Sequence, residues 1–285
     1  DRARWADANL DSFKMLMAPI DAKIAAEGKL PTGISRSVGR RMTGVEMGAI
    51  VAFLGGKVLG QFDPFSEGES GPGRLLLVAP NIVHVERELE VDPTDFRRWV
   101  CLHEETHRAQ FTAVPWMREH MLSQIATLTD ATDIGGGAVT EMMSEALPEL
   151  VRIGRGDSDK SLSDLFQNEQ QREVVAQLTG IMSLLEGHAD VVMDDIGPEV
   201  VPTVAEIRRK FTKRRGGGSP LSKALRRLLG FEAKMRQYSD GATFVRAVTD
   251  QVGKEGFDAV WAGPANLPSR DEILDPKSWV TRVHG

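Results

Sequence analysis

The residues of this chain best suited to chemistry are two histidines four positions apart with a glutamate between them, His103-Glu104-Glu105-Thr106-His107. On a helix of about 3.6 residues per turn, positions i and i+4 lie about 40° apart, so both imidazoles project from one face and can bind one metal ion. Glu104 is offset by roughly 100° from His103 and stays close to that face, placed to hold a water without being a ligand. The competing reading is a pair of hydrogen-bonded core histidines. Context speaks against it, because Phe96, Val100 and Phe111 continue along the histidine face of a helix with a clear start.

A catalytic zinc ion takes three protein ligands and leaves a fourth position for water, so a third ligand is expected. One extended motif would place Gly at 110 and His at 113, and the chain has Gln110 and Ala113. The other histidines are His84, His120, His188 and His284; the strongest non-histidine candidate is Glu186. Val174, Val175, Leu178, Ile181, Met182, Leu185, Ala189, Val192 and Met193 form an i, i+3, i+4 stripe, and Glu186 lies along its edge with no cation three or four residues away. A carboxylate on such a face needs a positive partner, and a metal ion supplies one. Asp190, one turn on, faces the same way and can accept the second ring N–H of His103 or His107. His188 lies about 200° from Glu186 around the helix, so the two cannot readily share one metal, and His188 stands as the alternative third ligand.

Composition narrows the choices. The chain has 285 residues with 35 Lys plus Arg, 41 Asp plus Glu, six His and one Cys. A lone cysteine excludes a disulfide framework and any cysteine-rich zinc or iron–sulfur site, which leaves His and carboxylate as ligands; Cys101 reads as a packing residue on the motif helix. The net charge of −6 provides no global attraction for nucleic acid or an anionic membrane. The tract Arg208, Arg209, Lys210, Lys213, Arg214 and Arg215 keeps nucleic acid as a minor reading beside a solvated helix end. Met47 to Gly56, the longest uncharged apolar stretch, is far shorter than the ~20 residues of a bilayer span, so no membrane partner is expected. The chain starts at Asp1 rather than Met; a cytoplasmic location is the expectation, with secretion left open.

Helical periodicity must supply the scaffold. Phe13, Met15, Leu16, Ile20 and Ile24 predict an N-terminal helix, and Val45 to Leu59 a second. Asp63 to Gly73 is rich in breakers, Leu75 to Val78 is the best strand, and Ile82 to Val91 suits strand or helix. Asp92 and Pro93 start the motif helix, Asp as cap and Pro where its missing N–H costs nothing. Further helices are expected over Trp116–Thr129, Val139–Arg155, Glu169–Asp195, Val204–Lys213, Leu221–Tyr238 and Ala242–Val252, with glycine loops at 135–137 and 216–218. The class is mainly α with a small β-sheet.

His103-Glu104-x-x-His107 with a downstream Glu186-x-x-x-Asp190 resembles the gluzincin branch of zinc peptidases. The run Phe96 to Phe111, then Val114-Pro115-Trp116, is similar to a bacterial family of zincin-like hydrolases of unestablished substrate. Val58-Leu59-Gly60-Gln61-Phe62-Asp63-Pro64, Pro80-Asn81, Arg236-Gln237-Tyr238 and Asn266-Leu267-Pro268 extend the similarity over most of the chain. Members carry the names zinc-dependent metalloprotease and deazaflavin cofactor biosynthesis-associated protein, the second from context rather than chemistry. Two features depart from the gluzincins. Far more chain separates His107 from Glu186 than in the compact thermolysin-like arrangement, which implies at least two inserted helices, and Leu185 stands where an Asn would precede the glutamate.

The resemblance implies a zincin-like fold with extra helices, one domain over 1–285, with 1–130 carrying the small sheet and motif helix and 131–285 the third ligand. It implies Zn(2+) as cofactor, His103, His107 and Glu186 as ligands, Glu104 as general base, and hydrolysis of a peptide or other amide. Tyr238 and Arg236 are candidate donors to the transition-state oxyanion, with His120 and His188 as alternatives. Leu75 to Val78 is the candidate strand for binding substrate backbone. A non-catalytic zinc scaffold is the rival class, disfavoured because a closed structural site has no use for Glu104.

Overall fold

A computed structural model describes residues 1–26, 48, 51–68, 71–130, 169–216 and 231–285. Of the helix expected over Val45–Leu59, residues 51–55 are helical and 56–59 are not, while 45–47 and 49–50 lie outside the described residues, as do all of Val139–Arg155 and the first part of Leu221–Tyr238.

Helix α1 (Arg2–Ala26) is present where expected, but its buried face is Trp5, Ala8 and Ser12, while Phe13 is exposed. Polar bonds set that rotation: the Trp5 indole donates to Gln61 Oε1 at 2.8 Å, and the Ser12 hydroxyl donates to the Asp63 carboxylate. Both partners belong to β1 (Gly60–Gly68), which pairs antiparallel with β2 (Gly71–Leu77), from Gly60 opposite Leu77 to Gly68 opposite Gly71. The breaker-rich stretch is therefore mostly strand. Pro64 is tolerated because the ladder is irregular between Asp63 and Glu67, where no proline N–H is called for.

The ambiguous segment is a helix, α2 (Ala79–Leu89), burying Ile82, Val85 and Leu89; the Asn81 amide, also buried, donates to the carbonyls of Gly55 and Val58. Helix α3 (Pro93–Ala113) carries the histidine pair and starts as its sequence dictates, with the Asp92 side chain accepting the Asp95 N–H at 2.9 Å. Then come α4 (Pro115–Asp130), α5 (Glu169–Asp195), the single turn α6 (Gly197–Val200) and α7 (Val204–Gly216).

The helices expected over Leu221–Tyr238 and Ala242–Val252 are joined in α8 (Phe231–Asp258), which is interrupted by a non-helical Gly253 at φ 77°. Gly241, in the gap between those two expected helices, sits inside α8, where α5 crosses backbone to backbone. A Cβ on Gly241 would lie 1.9 Å from the Ser183 carbonyl oxygen, and one on Gly187 would lie 2.1 Å from the Gly241 carbonyl carbon.

Two C-terminal helices, α9 (Arg270–Leu274) and α10 (Pro276–His284), were not anticipated, although Ser269-x-x-Glu272 is a legible capping box. The Ser269 hydroxyl accepts the Glu272 N–H and the Glu272 carboxylate accepts the Ser269 N–H. Trp279 on α10 is fully buried, its indole donating to the Asn266 carbonyl at 2.7 Å.

Among the described residues the core has three patches: Phe96, Val100, Ile207 and Met193; Leu184, Phe244, Val248 and Trp279; and Met117, Met121, Ile181 and Leu185. Helix α5 contributes to all three, so Glu186 stands on the element the rest of the core holds most firmly. Among the described residues the chain is mostly helical with one two-stranded antiparallel sheet. Among the described residues, no helix is long and apolar enough to cross a membrane.

The C-terminal closure carries a pH signature. Burial opposes ionisation of Glu272, but the Arg282 guanidinium, bonded to both carboxylate oxygens, and the bonds from Ser269 win, holding the Glu272 carboxyl below its ordinary range. A depressed folded-state pKa stabilises the fold above the unfolded carboxylate value of about 4.3 and loses that contribution as pH falls through the folded value. Thermal unfolding of wild type and Arg282→Gln should therefore differ most near pH 7, with the gap closing below about pH 4. A gap independent of pH would remove the ion pair as its cause.

Candidate metal centre

Three side chains from two helices converge. His107 Nε2 lies 3.3 Å from His103 Nε2 and 3.5 Å from Glu186 Oε2, and His103 Nε2 lies 3.8 Å from the same carboxylate oxygen. All the potential ligand atoms lie within 4.8 Å of one another. The helix periodicity of α3 brings the imidazoles together, with ring centroids 4.7 Å apart and planes at 84°. The α5 stripe turns Glu186 toward them and leaves it only 8% exposed.

This donor set fits zinc. Bonds of about 2.0–2.1 Å in tetrahedral geometry place neighbouring ligand atoms roughly 3.3 Å apart, close to the separations seen. The electrostatics agree: burial lowers the His107 pKa, yet the adjacent Glu186 carboxylate, aided by Gln110 and Glu104, holds the net value above the ordinary imidazole range. The same negative charge that favours a proton here favours a divalent cation.

Glu104 is buried on α3 and is not among the three converging donors; its Oε2 accepts the Phe62 N–H at 2.9 Å. The contact requires glycine at 60, where a Cβ would lie 2.6 Å from Glu104 Cγ. The strand whose backbone reaches Glu104 is β1, and the Leu75–Leu77 stretch expected as a strand lies beside it in β2. Trp99, one turn before His103, stacks on its ring at 6.5 Å and 24° and abuts Phe211 of α7, which fixes the outer wall of the histidine.

His188 is turned elsewhere. Its ring stacks on Phe257 at 5.8 Å and meets Trp261 edge-on at 5.3 Å, its Nδ1 faces the Gln110 amide nitrogen at 3.0 Å, and burial pushes its pKa down to about 4. The contact behind His107 comes from Gln110, whose Oε1 lies 2.9 Å from His107 Nδ1. The Asp190 carboxylate is engaged by Arg208 at 3.3 Å, and its carbonyl by the same guanidinium at 2.7 Å. Sequence reading missed that partner because Arg208 comes from α7, outside the ±4 window.

His120 borders a separate cleft of about 440 Å³ between α4, α5 and the Pro264–Ser269 segment. The α5 residues lining it, Gln177 and Ile181, lie about 180° and 140° around the helix from Glu186. Tyr238 falls within α8, one turn before Gly241; its side chain and that of Arg236 lie outside the described residues. In the basic tract, Arg208 pairs with Asp190 and Asp194, Lys210 with Glu206 and Arg214 with Glu88; the Arg215 side chain is outside the described residues.

Comparison with known proteins adds to this geometry. The crystal structure of a "putative hydrolase with a novel fold" from Chloroflexus aurantiacus matches at a TM-score of 0.69 and 29% sequence identity, covering 100% of this chain and 78% of that one. No match was found among curated proteins. A family model described as zincin-like metallopeptidase matches residues 1–280. With nearly the whole chain inside that match and two histidines and a glutamate gathered as a possible metal site, the chain belongs to the zincin-like metallopeptidase family.

Proposed function

We propose that the protein is a zinc-dependent hydrolase that cleaves an amide bond, most simply a peptide bond, with the metal held by His103, His107 and Glu186. The observation that carries this reading is the convergence of two imidazole nitrogens and a buried carboxylate at 3.3–3.8 Å, with a further carboxylate, Glu104, on the next residue of the same helix. Zinc at this position supplies Lewis acidity toward a carbonyl and lowers the pKa of water.

The chain's own residues do the rest. Glu104 accepts the proton of the attacking water and returns it to the leaving amine, a role for which a carboxylate beside the ligand cluster is suited. The Phe62 N–H holds Glu104 Oε2 and fixes the plane of that carboxylate. Asp190 completes the surroundings as the acceptor behind His103, steadied by Arg208. Tyr238 is the candidate donor to the developing oxyanion, one turn from the crossing of α8 with the Glu186 segment. The whole chain acts as one domain, its sheet and α3 supplying base and two ligands, α5 the third.

Purified protein should carry about one zinc per chain and hydrolyse amide substrates from a peptide library, with activity abolished by chelation and restored by zinc. Hydrolysis that persists in metal-stripped protein would overturn the proposal, as would full zinc occupancy in His103→Ala.

A further inference from the structure

Gln110 is only 5% exposed, and its side-chain amide is used at both ends. Its Nε2 donates to the Leu185 carbonyl at 2.9 Å and faces His188 Nδ1 at 3.0 Å; its Oε1 lies 2.9 Å from His107 Nδ1. A peptide carbonyl can only accept, so the Leu185 contact identifies the nitrogen end of the amide, and the oxygen end must face His107. Two tautomers follow. In the neutral ring His107 Nδ1 must carry the proton, which leaves the Nε2 lone pair directed at His103 and Glu186; His188 Nδ1 must accept, which places its proton on Nε2. The aromatic walls Phe257 and Trp261 hold the His188 ring in place.

We infer that Gln110 is the positioning residue of the metal centre: it sets the ligating tautomer of His107 and, through Leu185 and His188, ties helix α3 to the segment of α5 that presents Glu186. The part of this inference that concerns metal affinity rests on the zinc site proposed above; the tautomer does not. Leu185 directly precedes Glu186, so one amide links a ligand on α3 to the backbone beside the ligand on α5. A partner behind a metal histidine is commonly worth 10–100-fold in affinity.

The test uses the full chain with ¹⁵N-labelled histidine. In metal-free wild type, at a pH high enough to leave His107 neutral, long-range proton–nitrogen spectra should show the ring protonated at Nδ1. Gln110→Glu keeps an acceptor for that proton and should keep the tautomer, whereas Gln110→Leu, of similar volume, should lose it. A loss of packing alone would not separate these two variants. Zinc affinity by chelator competition should fall about 10–100-fold in Gln110→Leu relative to wild type.

A neutral wild-type His107 protonated at Nε2 instead of Nδ1, or an unchanged tautomer in Gln110→Leu, would overturn the positioning role. So would a Gln110→Leu variant that binds zinc as tightly as wild type, and that result would leave the zinc site standing. The expected tautomers in a wild-type protein that takes up no zinc would uphold the role of Gln110 toward His107 and refute the proposed function instead. Should Gln110→Leu fail to fold, His188→Phe removes one of the two anchors of the amide while keeping a ring between Phe257 and Trp261. That variant should show a partial loss of the Nδ1 tautomer, and no change would count against the inference.

Discussion

Glu104→Gln should keep zinc at the wild-type level and lose hydrolysis. The substitution preserves volume, and its side-chain oxygen can still accept the Phe62 N–H that Glu104 Oε2 accepts at 2.9 Å. Glu104 is not one of the three converging donors, so metal content should not move. What disappears is a group able to take a proton and give it back, a function worth about 10²–10⁴ in rate. The loss should fall on kcat with KM little changed, because the proton is transferred only in the transition state. Parallel zinc analysis and turnover on the same preparation check this. A variant that hydrolyses within threefold of wild type would show that another group is the base.

Gly241→Ala should destabilise the fold by about 3 kcal/mol or more, the high end for overpacking. The new methyl would lie 1.9 Å from the Ser183 carbonyl oxygen and 3.2 Å from Gly187 Cα. These are backbone atoms of α5, so no rotamer change relieves the clash and the two helices must separate. Alanine's helix propensity returns at most about 1 kcal/mol, too little to compensate. For a chain of this size, the melting temperature should fall by roughly 5 °C or more. Gly187 adjoins Glu186, so spreading the crossing should also weaken zinc binding. Gly263→Ala, where a Cβ meets nothing within 4 Å, is the control and should change stability by less than about 0.5 kcal/mol. Equal melting temperatures for Gly241→Ala and wild type would mean that the helices do not cross so closely.

What could be read beforehand was what depends on local periodicity. The α3 cap at Asp92 and the one-face placement of His103 and His107 follow from a few neighbouring residues, and α5 spans its apolar stripe and ends at Asp195, soon after Met193. Glu186 was legible because a carboxylate on such a stripe needs a cation and no neighbour supplies one. The parts that stayed hidden are tertiary. The β1 strand looked like a run of breakers, since the irregular pairing that accommodates Pro64 exists only once β2 lies beside it. Gln110 entered as a departure from a longer motif, and its use appears only when α5 brings Leu185 and His188 within reach. The Phe62 contact with Glu104 is made by a backbone N–H, which no side-chain pattern can announce. The gap left between the helices expected to end at Tyr238 and to begin at Ala242 has a similar origin, because the element that requires glycine at 241 is a second helix.

The most direct measurement is a crystal structure of zinc-loaded protein with anomalous data collected on both sides of the zinc edge. One zinc peak is expected about 2.0–2.2 Å from His103 Nε2, His107 Nε2 and a Glu186 carboxylate oxygen, with water and no fourth protein ligand completing the site. A zinc peak bonded to His188, a fourth protein ligand closing the site, or no peak between these helices in zinc-saturated crystals would contradict that expectation.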